Sequence, residues 1–131
     1  IMIKKDSDLD SKFSSYSNLE SERLFYNLKS IHTLAETNNA KLILFTIPVR
    51  QDFDYYFSNG QNNKLGDALH KFSAALDITY VDLFNIEIDS SRMSELFMSC
   101  DGHWSAQGHK HAADKLLPYL KNSFDNRSID Q

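Results

Sequence analysis

The chain is short of the features that announce the simplest classes of protein. It has a single cysteine, Cys100, so no disulfide can form within it, and cysteine usage leaves the redox compartment open. Two prolines and four glycines in 131 residues exclude a collagen-like or Pro-rich segment. Long apolar runs are absent. The longest, from Leu42 to Val49, falls far below the roughly 20 residues that cross a bilayer, so no membrane span is expected. Ile1-Met2-Ile3 passes at once to Lys4-Lys5-Asp6, without the hydrophobic stretch of a secretory leader. Basic excess is missing too. Fourteen Lys and Arg face 18 Asp and Glu, a net charge of −4, which gives no footprint for nucleic acid. No H-x-x-x-H or C-x-x-C pairing occurs, no motif asks for a cofactor, and no internal repeat is visible. Nothing in the composition fixes a compartment.

What remains is an ordinary folding composition, 41% hydrophobic and 24% charged, of a size for one domain. Residues 1–18 read as a polar lead-in and 125–131 as a polar tail containing the sequon Asn126-Arg127-Ser128. Between them, Ser17-Asn18-Leu19-Glu20 is a capping box. It opens a helix whose apolar positions are Leu24, Leu28, Ile31 and Ala35, closed near Asn38-Asn39. Lys41 to Ile47 reads as a strand buried on both faces, and residues 48–63 as an aromatic loop. Leu65, Ala68, Leu69, Phe72 and Ala75 mark a second helix, and Asp77 to Phe84 a second strand. This order predicts an α/β fold with two parallel strands joined by a right-handed crossover. Residues 85–100 look irregular or briefly helical. A last helix starts at the N-cap Ser105, buries Ala106, His109, Ala113, Leu116, Leu117 and Leu120, and should kink or break near Asp114 because Pro118 lacks an amide. Two strands make a thin sheet with both edges open, so upstream sequence or a partner chain is expected to complete it.

The chemistry concentrates in Cys100-Asp101-Gly102-His103-Trp104-Ser105-Ala106-Gln107-Gly108-His109. Histidine, with an unperturbed pKa of about 6.5, takes up and returns protons at neutral pH. A carboxylate beside it selects the tautomer and stabilises the imidazolium. Asp101 and His103 are therefore the candidate catalytic pair. Trp104 reads as a packing residue that shields them, and Gly108 as permitting close helix approach. Cys100 reads as a buried small apolar residue. A metal site built from Asp101, His103, His109 and His111 is disfavoured, because residues two apart on a helix point about 200° from each other.

Asp101-Gly102-His103-Trp104 followed by Gly108-His109 resembles the last motif block of the SGNH/GDSL ester hydrolases. The resemblance covers roughly residues 19 to 122. It implies the C-terminal part of a flavodoxin-like domain, parallel strands flanked by helices, and a small ester substrate such as a lipid or an acylated carbohydrate. It further implies that Asp101 and His103 are the acid and base of a Ser-His-Asp triad. The acid stands two residues before His103, where many members have three, and the shorter spacing resembles polysaccharide O-acetyltransferases of the same superfamily. Hydrolysis and acyl transfer are both left open. The family's G-D-S-type serine turn is missing from the chain. Gly60-Gln61-Asn62-Asn63 is only a faint image of its G-x-N-D block and reads better as a turn. The competing reading is a non-catalytic α/β module that binds a partner or a sugar and keeps the loop by descent.

Overall fold

Helix-forming and strand-forming stretches alternate along the chain, and the computed structural model, which describes residues 17–58, 63–84, 88 and 90–125, arranges them as a small α/β unit. Helix α1 (Asn18–Thr37) leads to strand β1 (Ile43–Phe45), helices α2 (Arg50–Ser58) and α3 (Lys64–Ala75), and strand β2 (Thr79–Val81). A 3-10 turn at Ser90–Arg92 runs into the one-turn helix α4 (Met93–Leu96), and α5 (Ala106–Asp125) closes the order. The described part is mostly helical. The sequon, Gly60 to Asn62 and residues 1–16 lie outside the described residues.

The local signals for α1 work as chemistry predicts. The Ser17 hydroxyl accepts from the Glu20 amide at 3.3 Å, and Glu20 accepts from the Ser17 amide at 2.9 Å, so two orphan donors are satisfied reciprocally. Asn38 caps the far end, with Asn39 in the left-handed region at φ 52°. The buried stripe is narrower than expected. Leu28 alone is fully buried, while Ile31 and Leu34 stand exposed.

β1 and β2 pair in parallel, Ile43 with Thr79, Leu44 with Tyr80 and Phe45 with Val81. Each is three residues long, shorter than the apolar runs that encode them. β1 is also not buried on both faces: Phe45 and Ile47 are exposed, because the described residues bring no third strand and no cover to that side. A run of Val, Ile and Leu reports what a strand can bury, not what is present to bury it.

Residues 50–58, expected as loop, are helical. Asp52 accepts the Val49 amide at 2.9 Å, the N3 half of a capping box, and starts the helix despite the preceding Pro48. Its aromatics then repeat at helical spacing instead of scattering. Phe53 stacks on Phe84 with ring centroids 4.9 Å apart, and Tyr56 meets the same ring edge-on at 4.8 Å. Phe53 belongs to the core cluster with Val81, Leu83, Ile88, Met93, Leu96, Phe97 and Trp104, and Ile43, Ala112 and Leu116 pack against it.

α5 is rotated from its expected phase. Gly108, Ala112 and Leu116 face inward, whereas Ala106, His109, Ala113, Leu117 and Leu120 are exposed. Gly108 sets the phase, since a Cβ there would stand 2.9 Å from the Trp104 ring and in collision with the Leu96 carbonyl. Nor does Pro118 break the helix, which continues to Asp125. Asp114 and Pro118 are both exposed, so water can serve the carbonyl that loses its intrahelical donor.

Candidate active site

Two polar constellations form beyond the C-terminal ends of the strands, the edge at which open α/β sheets place their ligands. In the first, the Asp82 carboxylate accepts from the Thr46 hydroxyl at 2.9 Å, the Phe84 amide at 3.0 Å and the Asn63 carboxamide at 3.1 Å. Asn63 in turn caps α3 through the Gly66 amide at 2.9 Å. Asp82 therefore ties the end of β1, the turn after β2 and the start of α3 together. Burial, and after it the Asp82 charge, pushes the nearby Tyr80 hydroxyl well above the ordinary phenol range.

The second constellation is the loop of residues 98–103. It is held at its base by the antiparallel bridge of Phe97 with Trp104, with the Met98 amide on the His103 carbonyl at 2.7 Å and the Ser105 amide on the Leu96 carbonyl at 2.9 Å. The other side is gripped by the segment after β1. The buried Trp104 indole N–H donates to the Pro48 carbonyl, and the Arg50 amide donates to the Gly102 carbonyl at 3.1 Å. Gly102 adopts φ 73°, a conformation open to glycine at little cost. α5 leaves the loop at once: the Ser105 hydroxyl accepts the Gly108 amide at 3.1 Å, the N-cap geometry expected from the sequence.

Within this frame Asp101 and His103 meet as predicted. One carboxylate oxygen accepts the His103 backbone amide at 3.0 Å, and the other lies 3.2 Å from His103 Nδ1. The two-point hold fixes both the ring and the peptide that carries it. It favours the tautomer protonated on Nδ1 and leaves Nε2 as the basic nitrogen. The amide hydrogen bond, supported by the imidazole, lowers the Asp101 pKa below the usual carboxylate value. Both side chains remain open to solvent, His103 at 73% and Asp101 at 48% exposure, so the Coulombic part of the pair is screened and orientation is its main product.

Trp104 packs as expected, buried and 5.1 Å from the Phe97 ring. Cys100 does not: its thiol is free and exposed, because the loop tip lies outside the core. Among the described residues no hydroxyl or thiol hydrogen-bonds His103; the neighbouring Ser105 hydroxyl is engaged with the Glu95 carbonyl. No group of three His, Cys, Asp or Glu side chains among them could hold a metal ion. His109 is exposed, while His111 has its Nε2 buried without a partner. Burial, and then Lys115 and Arg92, lower the His111 pKa. No helix among the described residues is long and apolar enough to cross a membrane.

The sequence reading had no place for Arg50 and Gln51 beside the dyad. Their only local signal is position, a few residues beyond the apolar run that carries β1. No family model matches the chain, and no curated protein or solved structure matches it significantly.

Proposed function

We propose that the chain carries the acid–base half of an ester hydrolase or O-acyltransferase of SGNH/GDSL type. In this reading β1 and β2 are two strands of a larger flavodoxin-like sheet, completed by upstream sequence or another chain that brings the nucleophilic serine. The observation that carries the reading is the two-point hold of Asp101 on His103, on a loop clamped beyond the C-terminal end of a parallel strand.

The chemistry then runs as follows. Nε2 of His103 takes the serine proton as the serine oxygen attacks the ester carbonyl. The proton passes from Nε2 to the leaving alcohol as its C–O bond breaks, giving an acyl-enzyme. Water, for hydrolysis, or a second hydroxyl, for transfer, repeats the sequence in reverse and frees the serine. Asp101 keeps Nδ1 protonated and offsets the imidazolium charge. The substrate is a small acyl ester of a lipid or carbohydrate.

Fluorophosphonate labelling read by mass spectrometry tests this, on the chain and on a form extended upstream. A serine adduct in the extended form that disappears with His103→Ala is the expected result. No adduct in either form would leave a non-catalytic binding module, the reading favoured by the absence of a nucleophile on His103 among the described residues.

A further inference from the structure

Gln51 lies on the first turn of α2, exposed, with its carboxamide laid against Gly102. A side chain at position 102 would put its Cβ 2.6 Å from Gln51 Oε1 and 2.9 Å from Nε2, so the carboxamide fills the space that the glycine leaves open. Gly102 is the residue between Asp101 and His103. The neighbouring Arg50 amide is already bonded to the Gly102 carbonyl at 3.1 Å, which fixes the start of α2 against the loop and limits where Gln51 can reach. Among the described residues the Gln51 carboxamide makes no hydrogen bond, although it offers two N–H donors and a carbonyl acceptor. The exposed carboxamide lies against the glycine between Asp101 and His103 with no protein partner among the described residues, open to a ligand, and glutamine is among the side chains that donate to the oxygen on which charge develops in acyl transfer.

We propose that Gln51 is a substrate-binding residue of the dyad site, its carboxamide N–H donating to an oxygen of the acyl ester on which His103 works. This rests on the reading of Asp101 and His103 as an acid–base pair. It adds to that pair a polar contact from a different element, about fifty residues away in the chain.

Gln51→Met keeps the length and the packing over Gly102 and removes the donors. In the polypeptide that carries the nucleophile, with p-nitrophenyl acetate as probe, kcat/KM should fall about three- to tenfold, as for the loss of one neutral hydrogen bond, with the melting temperature unchanged. Unchanged kcat/KM overturns the proposal. His103→Ala, run in parallel, separates the two readings. If it abolishes turnover while Gln51→Met does not, only the role of Gln51 falls; if neither variant changes turnover, the acid–base reading falls and takes this one with it. A second measurement uses the chain alone, labelled with 15N, at constant pH and ionic strength. Added acetate, the product of an acetyl ester, should shift the Gln51 side-chain NH2 signals together with those of the His103 ring. A Gln51 pair that stays in place at saturating acetate counts against it.

Discussion

Asp82 and Asp101 are the same side chain at the same edge of the same fold, and they do different work. Asp82 is partly buried, and its two oxygens accept three donors from three elements, so its hydrogen-bonding capacity goes into assembly. Asp101 is exposed, and both its oxygens serve one residue, His103, through the backbone amide and Nδ1. The difference is between a carboxylate whose oxygens are spread over three elements and one committed to a single histidine, on a loop held by other contacts. Here the holding is done by Trp104 on Pro48, Arg50 on Gly102 and the bridge of Phe97 with Trp104.

The contrast breaks most sharply at His103. Replacing it with Ala in the nucleophile-bearing polypeptide should lower ester turnover roughly 10²-fold or more, about 2.7 kcal/mol of barrier, with folding unaffected by circular dichroism. Equal kcat in the variant and the parent would remove the catalytic half of the comparison. Asp82→Ala should do the reverse. It strands the Thr46, Asn63 and Phe84 donors and should cost about 2 kcal/mol of stability in denaturant melts, with the Asp101–His103 geometry retained. Asp101→Asn should leave stability nearly unchanged, since the pair is solvent-exposed, and lower kcat, though less than His103→Ala does, by loosening the tautomer preference of His103. Gly102→Ala should cost about 1 kcal/mol from its positive φ, and less from Gln51, whose flexible end can move aside.

The smallest effect concerns pH. The folded His111 pKa lies below its usual 6.5, so the unfolded chain binds the extra proton first. Its stabilising contribution is complete above about pH 6.5 and is lost as pH falls towards the lowered folded value. Replacing His111 with Gln should flatten that part of a stability–pH curve; an unaltered slope would show that the buried nitrogen plays no part.

Much of this was legible in residues that are near each other in sequence. The Ser17–Glu20 box, the N-cap at Ser105 and the Asp101–His103 contact each join residues three positions apart or fewer and needed no tertiary context. Strand length and helix phase were not legible. The exposure of Phe45 depends on what lies beside β1, and the rotation of α5 depends on Leu96 and Trp104 pressing against Gly108. The aromatic stretch after Pro48 misled because helix and loop share that composition, and the deciding contacts are made with Phe84 and Phe97.

By itself, then, the sequence determined an α/β chain of this length and charge and a carboxylate placed to orient one histidine, because those properties come from composition, periodicity and a two-residue spacing. Only the tertiary structure decided where that histidine stands. The indole of Trp104 finds the carbonyl of Pro48 from 56 residues away, and Gln51 comes to rest on Gly102 by the same docking. Contacts of that range are set by the packing of elements against a common core, and no local pattern records them.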